Sequence, residues 1–291
     1  MIRSVALFPG QGSQFRGMGR ELFPRYPHLL QQSDEILGFS VEELCLHDRG
    51  EDLIKTQFTQ VALFVVNALF WQANFGDSGR LPDAACGHSL GEYNALFAAG
   101  VFDFATGLKL VKKRGELMAR QSGGGMAAVI GCDAESVRKI LDDFAFDTLD
   151  IANYNSPNQV VISGPKRDIE DFAAVFAEVP GSRYVILGVG GAFHSRYMRE
   201  AGDEFGSFIR TMRFNPPRFP VISNVLACPY TSTNLITTLT SQISSPVRWM
   251  DSISYLLGQG ACDFHELGPG TTLTRLLNLI APGSVQGVPA K

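Results

Sequence analysis

The stretch GHSLGEY, residues 87–93, places a serine between two glycines at the spacing G-x-S-x-G. This spacing is typical of a nucleophile elbow, a sharp turn that joins a strand to a helix and exposes the serine at its tip. The flanking sequence fits that context, because residues 83–86 predict a short strand and residues 90–99 predict a helix that ends at Gly100. Ser89 is therefore the candidate nucleophile, and a mainly parallel α/β sheet is its expected support.

The middle of the chain follows a different pattern from its two ends. Residues 126–189 alternate as strand, helix, strand, strand, helix and strand, which is the order of a ferredoxin-like unit. Glycine clusters at 123–125 and 190–191 flank this segment and suit two chain crossings between lobes. We therefore predict an α/β fold in which a large α/β-hydrolase-like domain with a mainly parallel sheet is interrupted by a small ferredoxin-like α+β subdomain. The predicted boundaries are 1–124 and 191–291 for the large domain and 125–190 for the small one.

The composition excludes several classes of protein. The formal net charge is −4, from 25 basic and 29 acidic residues, so neither a nucleic-acid-binding patch nor a polybasic membrane anchor is expected. The longest apolar run, residues 61–71, is too short to span a bilayer, and no signal peptide is apparent. Five cysteines and five histidines are scattered without metal-binding spacing. We expect a cytoplasmic monomer with reduced thiols and no metal site.

A serine hydroxyl becomes an effective nucleophile only when a neighbouring base takes its proton, and that base is most often histidine. His88 adjoins Ser89, but sequential neighbours in a tight turn point apart. His194 lies in GGAFHSRYM, residues 190–198, directly after the predicted small domain and before a predicted helix. From the crossing between the lobes it could reach Ser89. His194 is therefore the candidate base, and a histidine without catalytic function is the alternative interpretation.

Acyl chemistry at Ser89 develops negative charge on the carbonyl oxygen. A nucleophile elbow supplies one donor through the backbone N–H of the following residue, here Leu90. The second donor must come from another loop, and FPGQG, residues 8–12, offers the N–H of Gln11. Leu90 and Gln11 are thus the predicted oxyanion hole, although FPGQG alone also fits a simple turn at the end of a strand.

An arginine occupies the apolar side of a predicted helix at LKLVKKRGELMAR, residues 108–120. The helical neighbours of Arg114 at offsets of three and four are all apolar, whereas the other charged residues share the opposite side. A buried guanidinium needs a partner. That partner is either a structural carboxylate or the carboxylate of a substrate, held by two parallel hydrogen bonds.

Six motifs together resemble one known family. They occur in this order: FPGQGSQ, GHSLGEY, LVKKRGELM, ANYNSPNQVVISG, GAFHS and SSPVRW. This set closely resembles the malonyl-CoA:acyl-carrier-protein transacylases of fatty-acid and polyketide synthesis, over about residues 5 to 280. DIANYNSPNQVVISG and FPVISNV look most like the discrete trans-acting acyltransferases of polyketide synthases, such as the disorazole type.

The resemblance implies a role for each candidate residue. Ser89 would carry a malonyl ester, His194 would act as base and then acid, and Arg114 would pair with the free malonyl carboxylate. The backbone carbonyl of Gln242 would orient the histidine, and Asn155 would lie near the active site. Phe193 before the histidine, together with Leu90 after the serine, looks like the pattern of malonyl-selective relatives.

The resemblance also implies the reaction and its partners. Malonyl-CoA would acylate the serine, CoA would leave, and the phosphopantetheine thiol of an acyl carrier protein would take the malonyl group, with no bound cofactor. An acyl-carrier-protein hydrolase on the same fold is the alternative, although it would have little reason to keep Arg114. A non-catalytic docking protein is the third reading, but it would tolerate loss of Ser89 or His194. Fatty-acid and polyketide pathways share every one of these residues.

Overall fold

The computed structural model describes residues 1–283, so the last part of the predicted large domain, residues 284–291, lies outside the described residues. Within the described residues, eight strands form two separate sheets. Their bounds are β1 Ser4–Phe8, β2 Ala84–Gly87, β3 Gly124–Ile130, β4 Asp150–Ser156, β5 Gln159–Pro165, β6 Arg183–Ile186, β7 Val221–Ile222 and β8 Asp263–Glu266.

The helices connect and cover these sheets. Their bounds are α1 Pro27–Leu37, α2 Val41–Leu46, α3 Thr56–Trp71, α4 Gly91–Ala98, α5 Phe104–Arg120, α6 Ala134–Asp143, α7 Lys166–Phe176, α8 Arg199–Ile209, α9 Leu235–Gln242, α10 Trp249–Gly258 and α11 Thr272–Ile280. Within residues 1–283, no helix is long and apolar enough to cross a membrane.

The larger sheet is parallel, with strand order β7-β2-β1-β8. Side chains of the central strand β1 alternate between two cores, as the twofold period of a strand requires. Ala6 and Phe8 pack into the core with α3, α4 and α5. Val5 and Leu7 pack into the core with α10 and α11. Because both faces are covered, the continuous apolar run of β1 is explained, and the predicted parallel α/β sheet is confirmed.

The smaller sheet is antiparallel, with strand order β4-β5-β3-β6. Together with α6 and α7 it has the predicted ferredoxin-like arrangement. One face, including Val129 and Ile162, packs beneath these two helices. Met126 and Val161 point to the other face, which α6 and α7 leave uncovered and which lies towards the larger sheet.

Several predicted elements differ from the observed ones at their ends. The apolar sequence of residues 219–225 predicts a strand, but only Val221 and Ile222 form one, because the chain turns back after Ile222 and the Ser223 N–H donates to the Cys228 carbonyl. The last strand of the small domain is predicted at residues 183–189 but ends at Ile186, and Leu187 and Val189 line a cavity. Helices α1, α2 and α10 have no counterpart among the predicted elements.

Candidate active site

The turn at residues 87–93 has the geometry of a nucleophile elbow. Ser89 connects β2 to α4 and adopts a φ of 51°, a left-handed conformation that is strained for a residue with a side chain. A Cβ atom on Gly87 would lie 2.0 Å from the backbone of Gly91, and one on Gly91 would lie 2.0 Å from the carbonyl oxygen of Phe8. Only glycine fits at these two positions, which is the physical reason for the G-x-S-x-G spacing.

Ser89 and His194 lie in direct contact. The Ser89 Oγ is 2.7 Å from the Nε2 of His194, whose side chain is buried. The Nδ1 of His194 lies 2.9 Å from the carbonyl oxygen of Gln242 and 3.1 Å from that of Ser245. Because a carbonyl can only accept, the proton must be on Nδ1, and Nε2 is left as the acceptor for the serine hydroxyl. The side chain of His88 does not contact the serine hydroxyl and instead forms a hydrogen bond with the side chain of Asn155.

The surroundings of His194 keep its imidazole neutral. Its pKa is lowered from 6.5 to about 3, first by burial and then by the positive charge of Arg114. Hydrogen bonds to the carbonyls of Gln242 and Ser245 oppose this shift but are weaker. The ring is therefore neutral over the whole physiological pH range, and its Nε2 is available to accept the serine proton.

Arg114 is buried, with 1% of its surface exposed, on the apolar side of α5. Its predicted apolar neighbours are all buried as well: Leu110, Val111, Leu117 and Met118. Its Nη2 donates to the Ser89 Oγ at 3.1 Å and to the Oε1 of Gln242 at 3.0 Å, and its Nη1 donates to the Oε1 of Gln60 at 2.7 Å. Among the described residues no carboxylate forms an ion pair with it, so the first of the two alternatives for its partner, a structural carboxylate, is not seen there.

Gln242 joins these groups into one network. Its carbonyl accepts from His194 and its side-chain oxygen accepts from Arg114. Its Nε2 donates to the Ser89 carbonyl at 2.8 Å and to the Oε2 of Glu92 at 2.7 Å. Donors and acceptors on both sides fix the orientation of this amide. Gln242 therefore contributes its side chain as well as the backbone carbonyl anticipated from the sequence.

Glu92 is a fully buried carboxyl group one turn along α4 from the serine. Its Oε1 accepts from the backbone N–H of Asn224 at 2.9 Å and from the hydroxyl of Tyr230 at 2.6 Å. Burial raises its pKa from 4.5 to about 7, although these hydrogen bonds and the charge of Arg114 act in the opposite direction. Asn224 also accepts from the Ser89 N–H at 2.7 Å and donates to the Gly87 carbonyl at 2.7 Å, so it braces the elbow.

Glu92, Gln60, Asn224 and Tyr230 were not among the residues predicted for the site. Glu92 belongs to the GHSLGEY motif, but an acidic residue in the first turn of a helix usually indicates only an exposed, favourable charge. Gln60 offered a clearer signal, because it precedes the apolar run at 61–66 of a buried helix. A polar side chain at such a position needs a buried partner.

The predicted oxyanion donors are available for a ligand. Among the described residues, neither the backbone N–H of Gln11 nor that of Leu90 donates to another protein group. The loop that carries Gln11 lies against the elbow, because a Cβ atom on Gly10 would approach the His88 carbonyl oxygen to 2.3 Å. The two loops therefore meet beside Ser89.

A cavity of about 490 Å³ opens in front of Ser89 and His194, between the two sheets. Phe193 lines it and is buried. Asn155 also lines it, and its Oδ1 lies 2.9 Å from the Nε2 of His88, which links the smaller sheet to the elbow. Burial lowers the pKa of His88, so this ring is a neutral donor. The structure thus brings all eight predicted site residues into or around one cavity.

Among residues 1–283, no group of three or more histidine, cysteine, aspartate or glutamate side chains is arranged to hold a metal ion. The arrangement instead suits acyl transfer: a serine with a neutral base, two backbone donors for an oxyanion, and a cation beside the nucleophile.

Known proteins that resemble this chain include acyl transferases and polyketide biosynthesis proteins. The acyl transferase domain model matches residues 5–279. The chain is 53% identical over 275 residues to the polyketide biosynthesis malonyl CoA-acyl carrier protein transacylase PksC of Bacillus subtilis, covering 94% of this chain and 96% of PksC. It is also 53% identical over 275 residues to the polyketide biosynthesis protein PksE of the same organism, but spans only 36% of PksE.

Solved structures resemble the chain over its whole length. The malonyl CoA-acyl carrier protein transacylase of Burkholderia pseudomallei superimposes with a TM-score of 0.94 at 46% identity, covering 100% of both chains. A malonyl-transacylase in complex with its type II polyketide synthase acyl-carrier protein superimposes with a TM-score of 0.92 at 33% identity, covering 99% of this chain and 96% of that one.

Proposed function

Because the chain belongs to the acyl transferase domain family, we propose that it is an enzyme that moves a malonyl group from malonyl-CoA to the phosphopantetheine thiol of an acyl carrier protein. The observation that carries this proposal is the position of Arg114. A buried guanidinium that donates to the nucleophile and has no ion-pair partner among the described residues is suited to a substrate with a free carboxylate. Relatives with this activity in their names support the same substrate.

The first half-reaction forms an ester on Ser89. Its Oγ attacks the thioester carbonyl of malonyl-CoA while the Nε2 of His194 takes the hydroxyl proton. The carbonyl oxygen becomes an oxyanion that the backbone N–H groups of Gln11 and Leu90 stabilise. When the carbon–sulfur bond breaks, His194 returns the proton to the departing CoA thiolate. Gln242 holds the imidazole in the required tautomer through its backbone carbonyl.

The second half-reaction repeats these steps with a different thiol. The phosphopantetheine thiol of the carrier protein enters the cavity and His194 removes its proton. The thiolate attacks the malonyl ester, the same donors stabilise the oxyanion, and the proton goes to the Ser89 oxygen as the ester bond breaks. The donor malonyl-CoA and the product malonyl-carrier are both thioesters, so the exchange is close to thermoneutral and its chemistry requires no bound cofactor.

Both lobes contribute to this site. We propose that residues 1–124 and 191–291 form the large domain, which carries the nucleophile, base and arginine, and that residues 125–190 form the small domain. Asn155 would position the elbow from the small domain through His88, and Phe193 would restrict the space beside the acyl carbon. The identities to PksC and PksE support a role in polyketide rather than fatty-acid synthesis.

Mass spectrometry of the intact chain tests the proposal directly. Incubation with malonyl-CoA should add one malonyl group, and Ser89→Ala should abolish the adduct. Addition of a polyketide carrier protein bearing phosphopantetheine should then move the malonyl group to the carrier faster than addition of a fatty-acid carrier. An adduct that persists in Ser89→Ala would refute the nucleophile assignment.

The same experiment decides between transfer and hydrolysis. Free malonate is measured in parallel with malonyl-carrier. We expect the Ser89 ester to be stable until a thiol is added. Release mainly as free malonate in the presence of the carrier would instead identify the protein as an acyl-carrier-protein hydrolase.

A further inference from the structure

One face of α11 forms part of the cavity wall at a distance from the nucleophile. The face consists of residues spaced three or four apart, as expected for one side of a helix: Thr272, Arg275, Leu276 and Leu279. Leu276 is buried, whereas Leu279 is 56% exposed and Arg275 is exposed. This face therefore extends from the interior of the cavity to its opening, and Arg275 lies at the open end.

Arg275 carries the only full charge among the described side chains that line the cavity. Arg114 is buried at the inner end of the cavity, where its guanidinium donates to the Ser89 Oγ, and it contributes no charge near the opening. The contacts of Arg275 are weak: its Nε lies 3.4 Å from the carbonyl of Thr271 and its Nη2 lies 3.5 Å from the hydroxyl of Thr272. No carboxylate among residues 1–283 forms an ion pair with it. Its guanidinium can therefore turn towards a ligand.

The wall between Arg275 and Ser89 has a mixed character. Apolar side chains alternate with primary amides, which come from Asn153, Asn155 and Gln159 on the smaller sheet. A flexible chain with methyl groups and internal amide bonds would fit such a surface. A phosphopantetheine arm has this chemistry and ends in a thiol on one side and a phosphate on the other.

We infer that Arg275 binds the phosphate of the phosphopantetheine arm while the thiol end of that arm lies at Ser89. This inference rests on the proposed function, because it assumes that both substrates present this arm. Malonyl-CoA carries the phosphate as part of a pyrophosphate, and the carrier protein carries it as a phosphodiester. One arginine at the opening thus serves both half-reactions, since the guanidinium fork matches the phosphate oxygens in either form.

A pair of minimal acceptors isolates the phosphate from every other part of the substrates. Wild type, Arg275→Ala and Arg275→Lys are first loaded with malonyl-CoA, and transfer is then measured to 4′-phosphopantetheine and to pantetheine. The exposed Arg213, which does not line the cavity, provides the matched control Arg213→Ala. We expect wild type to prefer 4′-phosphopantetheine in kcat/KM by at least about tenfold, because a hydrogen bond between two charged groups is stronger than one between neutral groups.

Arg275→Ala should abolish this preference through KM, with kcat little changed, and Arg213→Ala should keep it. Arg275→Lys should keep part of it. The preference of wild type should also weaken as salt is raised, because charged partners near the surface are screened. If Arg275→Ala slows both acceptors equally, the residue acts through the shape of the cavity and the inference is wrong.

The donor side and the carrier are tested in parallel. Arg275→Ala should raise KM for malonyl-CoA and for the holo carrier protein, but not for the N-acetylcysteamine thioester of malonate, which lacks the phosphate. An effect confined to the carrier would refute a shared phosphate contact and indicate a contact with the carrier's surface. An effect confined to CoA would refute it in favour of the nucleotide phosphates. Absence of transfer by wild type to any thiol would instead overturn the proposed function itself.

Discussion

The two ends of the cavity are built in different ways. At the inner end, Ser89, His194, Arg114, Gln242 and Glu92 are joined by hydrogen bonds of 2.7 to 3.1 Å and belong to elements around the parallel sheet. At the outer end, the uncovered face of the antiparallel sheet and one face of α11 supply mostly apolar side chains and a few amides.

This difference separates two tasks. Acyl transfer requires donors and acceptors that are already in place before charge develops, and a buried, cross-braced network provides this at the inner end. A long flexible arm requires only a passage of suitable width and polarity, which the outer end provides. We therefore expect substitutions at the inner end to lower rates sharply, and substitutions in the outer wall to change selectivity with little loss of rate.

The largest effect is expected for Arg114→Ala. The malonyl carboxylate would lose its charged partner in a buried site, a change that costs about 2–5 kcal/mol. Loading of malonyl-CoA should therefore fall by roughly 10²–10³-fold in kcat/KM, while loading of acetyl-CoA stays the same or improves. Rapid-quench measurement of acyl-Ser89 with each donor checks this. Arg114→Lys, which keeps the charge but not the fork, should recover only part of the malonyl rate, and unchanged malonyl kinetics in Arg114→Ala would refute the assignment.

The second prediction concerns the neutral imidazole at the inner end. The folded-state pKa of His194 is lowered to about 3, whereas the unfolded chain titrates near 6.5. The unfolded state therefore binds the extra proton below pH 6.5, and the stability that the neutral ring contributes is lost as the pH falls from about 6.5 towards 3. His194→Gln has no such titration. The free energy of unfolding of wild type relative to His194→Gln should fall by about 1.6 kcal/mol between pH 6.5 and 5, because the slope is half-maximal at pH 6.5 and approaches about 1.4 kcal/mol per pH unit below it.

Urea denaturation of both chains at several pH values measures this difference. Glu92 titrates in both, because burial raises its pKa to about 7, so its contribution largely cancels in the comparison. Parallel curves for wild type and His194→Gln between pH 7 and 5 would contradict a buried neutral His194.

The third prediction addresses the link between Glu92 and Arg114. In Glu92→Gln only one acceptor oxygen remains, and when it serves the backbone N–H of Asn224 the new NH2 group faces the Nε2 of Gln242, which is also a donor. Gln242 would then lose its hydrogen bond to this side chain, or its amide would rotate. After such a rotation its NH2 group would face the guanidinium of Arg114, which is also a donor. An unsatisfied buried donor costs about 1–3 kcal/mol, so malonyl loading should fall by roughly tenfold. Acetyl loading, which does not use Arg114, should fall less; an equal loss with both donors would mean that Glu92 acts only through overall stability.

At the inner end, the sequence predicted those features that follow from the spacing of residues within one short segment. The G-x-S-x-G pattern indicated a strand, a turn and a helix, and the close approach of Gly87 and Gly91 shows why these glycines are needed. The apolar neighbours of Arg114 indicated its burial for the same local reason. Ser89, His194 and Arg114 were therefore identifiable as candidates before their contacts were known.

Contacts between distant segments were harder to predict. Asn224 reaches Ser89 across 135 positions of sequence, and Gln242 reaches Glu92 across 150. No local period signals such pairs, because they depend on how β7 and α9 pack beside the elbow. Contacts of this kind also explain why β7 is short. Ser223 forms a turn with Cys228 and Asn224 bonds to the elbow, so neither residue continues the pairing with β2.

The smallest effect is expected at Phe193, where the inner end meets the cavity wall. Its side chain is buried next to His194 and lines the cavity. In the proposed complex the α-methyl group of methylmalonyl-CoA would lie against this ring. Phe193→Ser removes the ring, and a single methyl group in an apolar site contributes about 10–200-fold of discrimination. The kcat/KM ratio of malonyl-CoA to methylmalonyl-CoA should thus fall by roughly tenfold, with malonyl loading changed only a few-fold. Leu279→Ser, at the exposed end of the same cavity, is the matched control and should leave the ratio unchanged; if both variants shift it equally, discrimination arises from the width of the whole passage rather than from Phe193.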